Sequence, residues 1–336
     1  MSTPSTPNTS DSPSTPGAPA PGPNTARADA LSGVVPPLCT PLTPERAVDA
    51  PALERLVAFQ IEAGAAALFV AGSTGEVAYL TDEQRGRTLE VVAAAAAGQV
   101  PVLAGIVDTA TPRVAAHAAA AKAGGADALV ATAPFYVPTH PAEIRTHFRA
   151  VRAAADLPLY AYDIPSFTHT KLDAETVVEL AEEGTIDGLK DSSGDLDALR
   201  AVLELAPPGL RVFTGSEVVA DLGLRIGAHG IVPGLGNVDP HGYVRLYDAA
   251  RRGDWTAAER EQVRLRALFR LVKAGNPARM GPYSSAIGAF KEGLRLRGVI
   301  GAATTSLPMV ALDDAERAVV REHLAAAGLP TEGDDA

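Results

Sequence analysis

Short apolar runs alternate with amphipathic segments along most of this chain. The amphipathic segments repeat apolar residues every three or four positions, which is typical of helices with one buried face. Several begin with Asp, Ser or Thr and end with Gly, as helix caps do. The strand-like runs are apolar at consecutive positions, which indicates strands of a parallel sheet covered by helices. The runs are VVPPLCTPL, AALFVAG, VPVLAGIV, DALVATAP, LPLYAYDIP, IDGLKDSS, LRVFTGS and HGIVPGLG.

Eight such strand and helix units in series predict an α/β fold, a (β/α)8 TIM barrel. A doubly wound open sheet is the alternative, but it would normally use fewer strands and a Gly-rich dinucleotide turn after the first, which the sequence lacks. Helical patterns near 256–274, 282–297 and 313–327 follow the eighth unit. We therefore assign the barrel to residues 29–254 and a C-terminal helical extension to residues 255–329.

The two ends of the chain differ from the interior in composition. Residues 1–28 are mostly Ser, Thr, Pro, Ala, Gly and Asn without apolar periodicity. Such a segment buries too little apolar surface to offset the entropy lost on ordering, so we predict a disordered N-terminal tail. It lacks the apolar core of a secretory signal. Residues 330–336 have a similar composition and predict a second, shorter tail.

Charge and composition exclude several classes of function. The 336 residues carry a formal net charge of −11, which disfavours a nucleic-acid partner. No apolar run approaches the roughly 18 residues of a membrane span. The single cysteine, Cys39, rules out an intrachain disulfide and fits a cytoplasmic setting. The seven histidines are scattered without the spacing of metal ligands, so no metal or other cofactor is predicted.

Lys190 ends one of the strand-like runs, immediately before a cluster of small polar residues. Lysine is seldom buried unless a partner or a reaction needs it. A desolvated lysine has a lowered pKa and is partly neutral near pH 7, which suits Schiff-base formation with a carbonyl substrate. The alternative is a surface lysine at a strand end, paired with Asp191. This segment alone does not decide between the two interpretations.

Other polar residues stand at strand ends, where the active sites of such barrels lie. Two hydroxyls and several glycines occupy Gly72–Glu76 after the second strand, where free backbone amides could bind a carboxylate. An ordinary Gly-rich turn is the alternative. Tyr162 lies on the strand before that of Lys190 and could transfer the protons that imine chemistry requires. Its alternative is a core aromatic residue. The combination at three strand ends favours a common active site.

The order and spacing of these motifs resemble the dihydrodipicolinate synthase / N-acetylneuraminate lyase family of pyruvate-dependent class I aldolases, over roughly residues 30–329. The resemblance rests on GSTGE, PFY, Y-D-I-P, G-L-K-D-S-S-G-D and G-A-H-G-I-V-P-G. It implies that Lys190 forms a Schiff base with a 2-oxo acid, typically pyruvate, and that Tyr162 transfers protons. It implies further catalytic roles for Thr74 and Tyr136, and substrate-binding roles for Ser73, Thr74, Gly72, Ile231, Gly215 and Phe167.

The resemblance also assigns contacts within this group. The hydroxyls of Ser73 and Thr74 correspond to the pair that binds the keto acid's carboxylate, and the carbonyl of Ile231 to a pocket wall beside the lysine. Tyr136 corresponds to a tyrosine that reaches into the neighbouring subunit's site. Family members are usually tetramers built from tight dimers, so a homotetramer, a dimer of dimers, is expected.

Departures from the family motifs bear on the substrate. By the resemblance, Phe167 takes the place of an arginine with which the synthases bind the second substrate's carboxylate. An aromatic ring cannot form that ion pair, which counts against aspartate semialdehyde as the acceptor. Ser216 and Glu217 stand where sialate lyases carry two acidic residues, and Pro233 where they carry a serine. The motifs therefore favour a lyase or aldolase that joins pyruvate to an aldehyde or catalyses the reverse cleavage. The compound formed or cleaved would be a 2-keto-3-deoxy or 4-hydroxy-2-oxo acid.

Several alternatives stay open at this point. A 4-hydroxy-tetrahydrodipicolinate synthase and an N-acetylneuraminate lyase are the other activities, and a non-catalytic keto-acid-binding sensor is the alternative of another class. The presence of Lys190 argues against a sensor, because simple binding does not need it. Asp163 and His169 are polar residues near the acceptor side and are candidates for contacts with a hydroxylated acceptor, although a solvated loop histidine is the favoured interpretation.

Overall fold

The computed structural model describes Met1 and residues 30–331. The tails predicted at 1–28 and 330–336 lie outside the described residues, except for Met1 and residues 330–331. Eight parallel strands form one sheet in the order β1-β8-β7-β6-β5-β4-β3-β2, which confirms the predicted barrel. The strands are β1 Gly33–Val34, β2 Leu68–Val70, β3 Val102–Gly105, β4 Ala128–Thr132, β5 Leu159–Asp163, β6 Gly188–Asp191, β7 Arg211–Thr214 and β8 Gly230–Ile231.

The segment after β1 closes the sheet against β2. The amide of Phe69 donates a hydrogen bond to the carbonyl of Pro36 at 3.1 Å, and the amide of Leu38 donates to the carbonyl of Phe69 at 2.8 Å. β1 itself is shorter than its apolar run predicts. Pro36 and Pro37 have no N–H group to contribute to a ladder, so regular pairing stops before them.

Helices follow the strands and cover the outside of the barrel. Several begin with the side-chain caps that the sequence predicts. The Asp49 side chain, for example, accepts the amide of Ala52, and Asp195 accepts that of Ala198. Within residues 30–331, no helix is long and apolar enough to cross a membrane. The helices are α1 Ala50–Glu62, α2 Asp82–Ala96, α3 Thr111–Ala123, α4 Pro141–Ala154, α5 Pro165–Thr168, α6 Ala174–Glu182, α7 Leu196–Leu205, α8 Ala220–Arg225, α9 Pro240–Arg251, α10 Trp255–Leu268, α11 Pro282–Leu296 and α12 Asp314–Ala326.

Two hydrophobic clusters form the core. The larger one lies between the strands and the helices, and the smaller one fills the barrel with side chains such as Phe69, Val130, Tyr162 and Phe213. Successive side chains of a strand point to opposite faces. Tyr162 therefore faces the barrel interior, whereas Asp163, the next residue of β5, faces the helices.

The C-terminal helices α10, α11 and α12 pack beside the barrel, and α11 braces the loop after β2. Glu76 of this loop forms an ion pair with Lys291 of α11, and both side chains are 0% exposed. The amide of Ser306 donates to the Glu76 carboxylate at 2.7 Å, and Lys291 donates to the carbonyl of Thr304 at 2.7 Å. The helical extension thus fixes a loop that the sequence assigns to the active site.

Candidate active site

Lys190 lies near the carboxyl end of β6, one residue before the strand ends, and its side chain faces the barrel interior. Its side chain is packed among aromatic rings and the residue is only 6% exposed. Its Nζ lies 4.0 Å from the ring centroid of Tyr162 and 5.0 Å from that of Phe69. Its Cα pairs with that of Tyr162 on β5 and that of Phe213 on β7. The lysine is therefore a buried group at the carboxyl edge of the sheet.

Asp191 does not pair with Lys190. Its carboxylate faces the helices and accepts hydrogen bonds from the amide and the hydroxyl of Ser193, at 2.8 and 2.6 Å. Among residues 30–331, no carboxylate oxygen lies within 4.0 Å of the Lys190 nitrogen. The interpretation of Lys190 as a surface lysine paired with Asp191 is therefore wrong.

Three residues with hydroxyl groups, Tyr162, Ser73 and Tyr283, lie next to one another. The Tyr162 hydroxyl lies 3.5 Å from Ser73 Oγ, and the hydroxyl of Tyr283 donates to the Ser73 carbonyl at 2.6 Å. Burial raises the pKa of Tyr283 far above its usual value, so the group stays a neutral donor. Tyr283 belongs to α11 and is absent from the strand-end motifs. Only its place beside Pro282, at a helix start, distinguishes it in the sequence.

The loop Gly72–Glu76 is held in position by its surroundings. A Cβ at Gly72 would lie 2.7 Å from the Phe69 ring, so only glycine fits there. The carbonyl of Gly75 accepts the hydroxyl of Thr40 at 2.9 Å. Thr74 lies against the segment after β8, where a Cβ at Gly234 would approach Thr74 Oγ1 to 3.2 Å. The predicted hydroxyl pair, Ser73 and Thr74, therefore sits on a rigid turn.

Gly215 follows β7, and Ile231 is the last residue of β8. A Cβ at Gly215 would overlap the Ser192 hydroxyl and lie 3.3 Å from Lys190 Cε, so the lysine side chain uses the space that glycine leaves. Ile231 is fully buried on β8. Its carbonyl accepts the amide of Val35 at 2.9 Å and so belongs to the closing ladder between β8 and β1.

Tyr136 and Phe167 are the most exposed of the predicted site residues. Tyr136 is 90% exposed and has a backbone φ of 83°, a left-handed conformation that is unusual for a bulky residue. It lies apart from Lys190 on the surface of this chain. Phe167 is 47% exposed, and its ring meets the ring of Tyr283 edge-on at 5.7 Å between centroids.

A cavity of about 240 Å³ opens beside this group of hydroxyls. Its walls come from the loops after β2, β3, β4 and β5 and from the start of α11. They consist of aliphatic, aromatic and hydroxyl side chains. The lining residues are Ser73, Val77, Ala78, Tyr79, Val107, Thr132, Phe135, Ile164, Phe167, Thr168 and Tyr283.

The other two polar candidates, Asp163 and His169, do not line the cavity. Asp163 forms an ion pair with Lys171 and accepts the amide of Leu172 at 3.1 Å on the helix side of β5. The suggestion that Asp163 contacts the acceptor is therefore wrong, because the strand alternation turns it away from the barrel. His169 is exposed at the end of α5, as the solvated alternative requires.

Glu217 is a second acidic group near the lysine. Its Oε1 accepts the amide of Leu235 at 2.6 Å and lies 3.5 Å from the hydroxyl of Tyr243. Burial raises the pKa of Glu217 to about 7, although the Leu235 amide and the charge of Lys190 act in the opposite direction. The carboxyl group ties the loop after β7 to the segment after β8.

This fold and site define a (β/α)8 barrel with a buried lysine amine at the carboxyl edge of its sheet. Among residues 30–331, no group of three or more His, Cys, Asp and Glu side chains is arranged to hold a metal ion. The model of the dihydrodipicolinate synthetase family matches residues 30–327. The chain belongs to this family, and the predicted lyase class is confirmed.

Named relatives match almost the full length of the domain. An uncharacterized DapA-like lyase of Halobacterium salinarum is 36% identical over 310 residues, which cover 92% of this chain and 98% of the relative. The 4-hydroxy-tetrahydrodipicolinate synthase of Methylococcus capsulatus is 34% identical and covers 79% of this chain and 92% of its own.

Solved structures show the same architecture. The dihydrodipicolinate synthase from Aquifex aeolicus superposes with a TM-score of 0.82 at 28% identity, over 90% of this chain and all of its own. YagE, a prophage protein of the same family from E. coli, was solved in complex with pyruvate. It superposes with a TM-score of 0.83 at 26% identity, over 89% of this chain and 99% of its own.

Proposed function

We propose that this protein joins pyruvate to an aldehyde, or cleaves the product, through an imine on Lys190. The observation that carries the proposal is a lysine 6% exposed, unpaired with a carboxylate and 4.0 Å from the ring of Tyr162. A buried amine of this kind is an effective nucleophile toward ketones. The pyruvate complex of YagE supports pyruvate as the keto acid.

The first half of the reaction activates pyruvate. The neutral amine of Lys190 attacks the ketone carbon, and water leaves to give a protonated imine. The imine withdraws electrons, so the adjacent methyl group loses a proton and becomes an enamine. The hydroxyls and amides of Ser73 and Thr74 hold the carboxylate, which places the substrate before chemistry begins. Tyr162 transfers the protons, and its 3.5 Å approach to Ser73 Oγ supplies a relay that Thr74 and the Tyr136 of a neighbouring subunit extend.

The second half forms the carbon–carbon bond. The enamine carbon attacks the aldehyde carbon, the carbonyl electron pair moves to oxygen, and that oxygen takes up a proton. Water then hydrolyses the imine, releases a 4-hydroxy-2-oxo acid and restores the lysine. A hydroxylated aldehyde would give a 2-keto-3-deoxy acid by the same steps. Gly215, which follows β7, leaves the space beside Lys190 Cε that the lysine side chain uses.

Two other family activities fit this site less well. The Methylococcus relative is named 4-hydroxy-tetrahydrodipicolinate synthase, but the cavity of this chain presents Phe167, not a cation, to the second substrate. An N-acetylneuraminate lyase needs polar groups for a long hydroxylated tail. Glu217, which stands at the corresponding position, already accepts the amide of Leu235. A keto-acid sensor would not need an amine free of carboxylate partners.

We also infer a homo-oligomer, a dimer of dimers, in the cytoplasm. The exposed ring of Tyr136 and its left-handed backbone support a role in a neighbouring subunit's site. Such strained residues persist where the surroundings fix them for a purpose. The single cysteine, Cys39, is buried, and burial raises its pKa to about 12, which agrees with a structural thiol in a reducing compartment.

Exchange of the pyruvate methyl protons in D2O tests the proposal without an aldehyde. We expect exchange by the native protein, no exchange by Lys190→Ala, and a rate about 100-fold or more lower for Tyr162→Phe, which keeps the ring but not the proton. Lys122→Ala, at an exposed lysine of α3, is the matched control and should exchange normally. Exchange by Lys190→Ala at the native rate would refute the imine.

A further inference from the structure

The cavity beside the hydroxyls of Ser73 and Tyr283 has an unusual chemical composition for an enzyme of hydrophilic substrates. Its eleven lining residues include no Lys, Arg, His, Asp or Glu. Apolar side chains such as Val77, Val107, Ile164 and Phe167 form most of its wall. A ligand carboxylate placed there would lose its hydration without gaining a cation, which is strongly unfavourable.

One hydroxyl in this wall is left without a partner. Thr132, the last residue of β4, is 3% exposed, and its Oγ1 has no hydrogen-bond partner among residues 30–331. Two other hydroxyls of the cavity are engaged, since Thr168 donates to the carbonyl of Ile164 at 3.1 Å and Tyr283 to that of Ser73. A buried hydroxyl without a partner is unfavourable, so a ligand atom that donates a hydrogen bond to Thr132 or accepts one from it would bind more tightly there.

Thr132 also lies close to the reacting groups. Its Cα pairs with that of Tyr162 on β5, and Tyr162 pairs with Lys190 on β6. Since neighbouring strands are about 4.8 Å apart, Thr132 stands roughly 10 Å from the lysine backbone, on the same inner face of the barrel. An enamine extending from Lys190 and an aldehyde held by Thr132 would therefore meet between these two strands.

We propose that this cavity is the acceptor subsite, that it takes a neutral, largely apolar aldehyde, and that Thr132 binds the aldehyde oxygen. The inference rests on the proposed function and specifies its substrate class. The enamine carbon bonds to the aldehyde carbon, and the carbonyl electron pair moves to the oxygen that Thr132 binds. That oxygen takes a proton from Tyr162, which recovers one from the water that hydrolyses the imine.

The composition of the wall separates this class from the other acceptors. A carboxylated aldehyde finds no cation in the cavity, and a polyhydroxylated one finds too few free partners for its hydroxyls. An aromatic or aliphatic aldehyde buries its body against Phe167 and Val107 and needs one hydrogen bond, which Thr132 supplies. The product class is then a 4-hydroxy-2-oxo acid with an apolar substituent.

The test compares benzaldehyde, glyoxylate, glyceraldehyde and aspartate semialdehyde as acceptors with pyruvate. We would measure kcat/KM for product formation by the native protein, Thr132→Val and Thr132→Ser, and the methyl exchange rate of each protein. We expect benzaldehyde to exceed the charged and polyhydroxylated aldehydes at least tenfold. We divide kcat/KM with benzaldehyde by the methyl exchange rate of the same protein. This ratio should fall about 3- to 10-fold in Thr132→Val, the effect of one neutral hydrogen bond, and return to the native value in Thr132→Ser.

The outcomes distinguish this inference from the proposed function. Absence of methyl exchange in the native protein would refute the imine itself. Exchange together with a preference for glyoxylate, glyceraldehyde or aspartate semialdehyde, or with no product from benzaldehyde, would overturn the apolar acceptor. Equal kcat/KM with benzaldehyde for Thr132→Val and Thr132→Ser, at equal methyl exchange rates, would overturn the role of Thr132.

Discussion

Replacing Glu76 by glutamine should destabilise this protein severely, although the two side chains have nearly the same shape. Glu76 and Lys291 form an ion pair in which both side chains are 0% exposed, so solvent does not screen them. Glutamine keeps an oxygen for the amide of Ser306 but leaves the Lys291 ammonium with only the carbonyl of Thr304. Breaking a buried ion pair from one side costs about 3–5 kcal/mol.

The magnitude converts to a measurable thermal shift. With an unfolding entropy of about 2.1 cal/mol/K per residue, the roughly 300 described residues give about 0.6 kcal/mol/K, so a loss of about 4 kcal/mol lowers the Tm by roughly 6 °C. Lys291→Met should cost a similar amount. The double variant, Glu76→Gln with Lys291→Met, removes both charges, and its cost should fall below the sum of the single costs by about 2 kcal/mol or more.

Differential scanning calorimetry and urea unfolding of the four proteins would measure this coupling. A cycle in which the single costs add to within about 0.5 kcal/mol would refute the reasoning, since independent sites behave in that way. A coupled cycle would also show that α11 and the loop Gly72–Glu76 act as one unit. The loop carries Ser73, so methyl exchange with pyruvate should fall in both single variants.

Two further predictions concern the edge of the site. Burial raises the pKa of Glu217 from its usual 4.5 to about 7, so its stabilising contribution is complete below pH 4.5 and is lost as the pH rises towards 7. The unfolding free energy of Glu217→Gln, measured with urea, should therefore fall less between pH 4.5 and 7 than that of the native protein. An equal fall in both proteins would contradict this prediction. Gly215→Ala should lower kcat/KM at least tenfold, because a Cβ there overlaps Ser192 and meets Lys190 Cε. Its control, Gly86→Ala on the exposed face of α2, should keep full activity and gain up to about 1 kcal/mol.

The barrel could be predicted from the sequence because its signals are local and repeated. Most strand positions are apolar on both faces, and many helices begin with a capping side chain and bury one apolar face. Lys190 could be found because a lysine at the end of an apolar run is out of place. The short β1 also has a local cause, because Pro36 and Pro37 have no N–H group for strand pairing.

Contacts between distant segments could not be predicted in this way. Glu76 and Lys291 are 215 positions apart, and nothing near either residue announces the other. Tyr283 reaches the site from α11, which the strand-end rule does not consider. The placement of Asp163 near the acceptor is wrong for a different reason, since strand alternation turns Asp163 towards the helices once Tyr162, its neighbour on β5, faces the barrel interior. The absence of a partner for the Thr132 hydroxyl is set by the positions of all neighbouring side chains, so only the three-dimensional structure shows it.

Trapping the imine tests the central claim most directly. The native protein would be incubated with pyruvate and borohydride, and intact mass and peptide mapping would locate the adduct. We predict one reduced pyruvate per chain, attached to the peptide that contains Lys190, and none on Lys190→Ala. An adduct on another lysine, or a folded native protein that exchanges the pyruvate methyl protons but forms no adduct, would contradict the account.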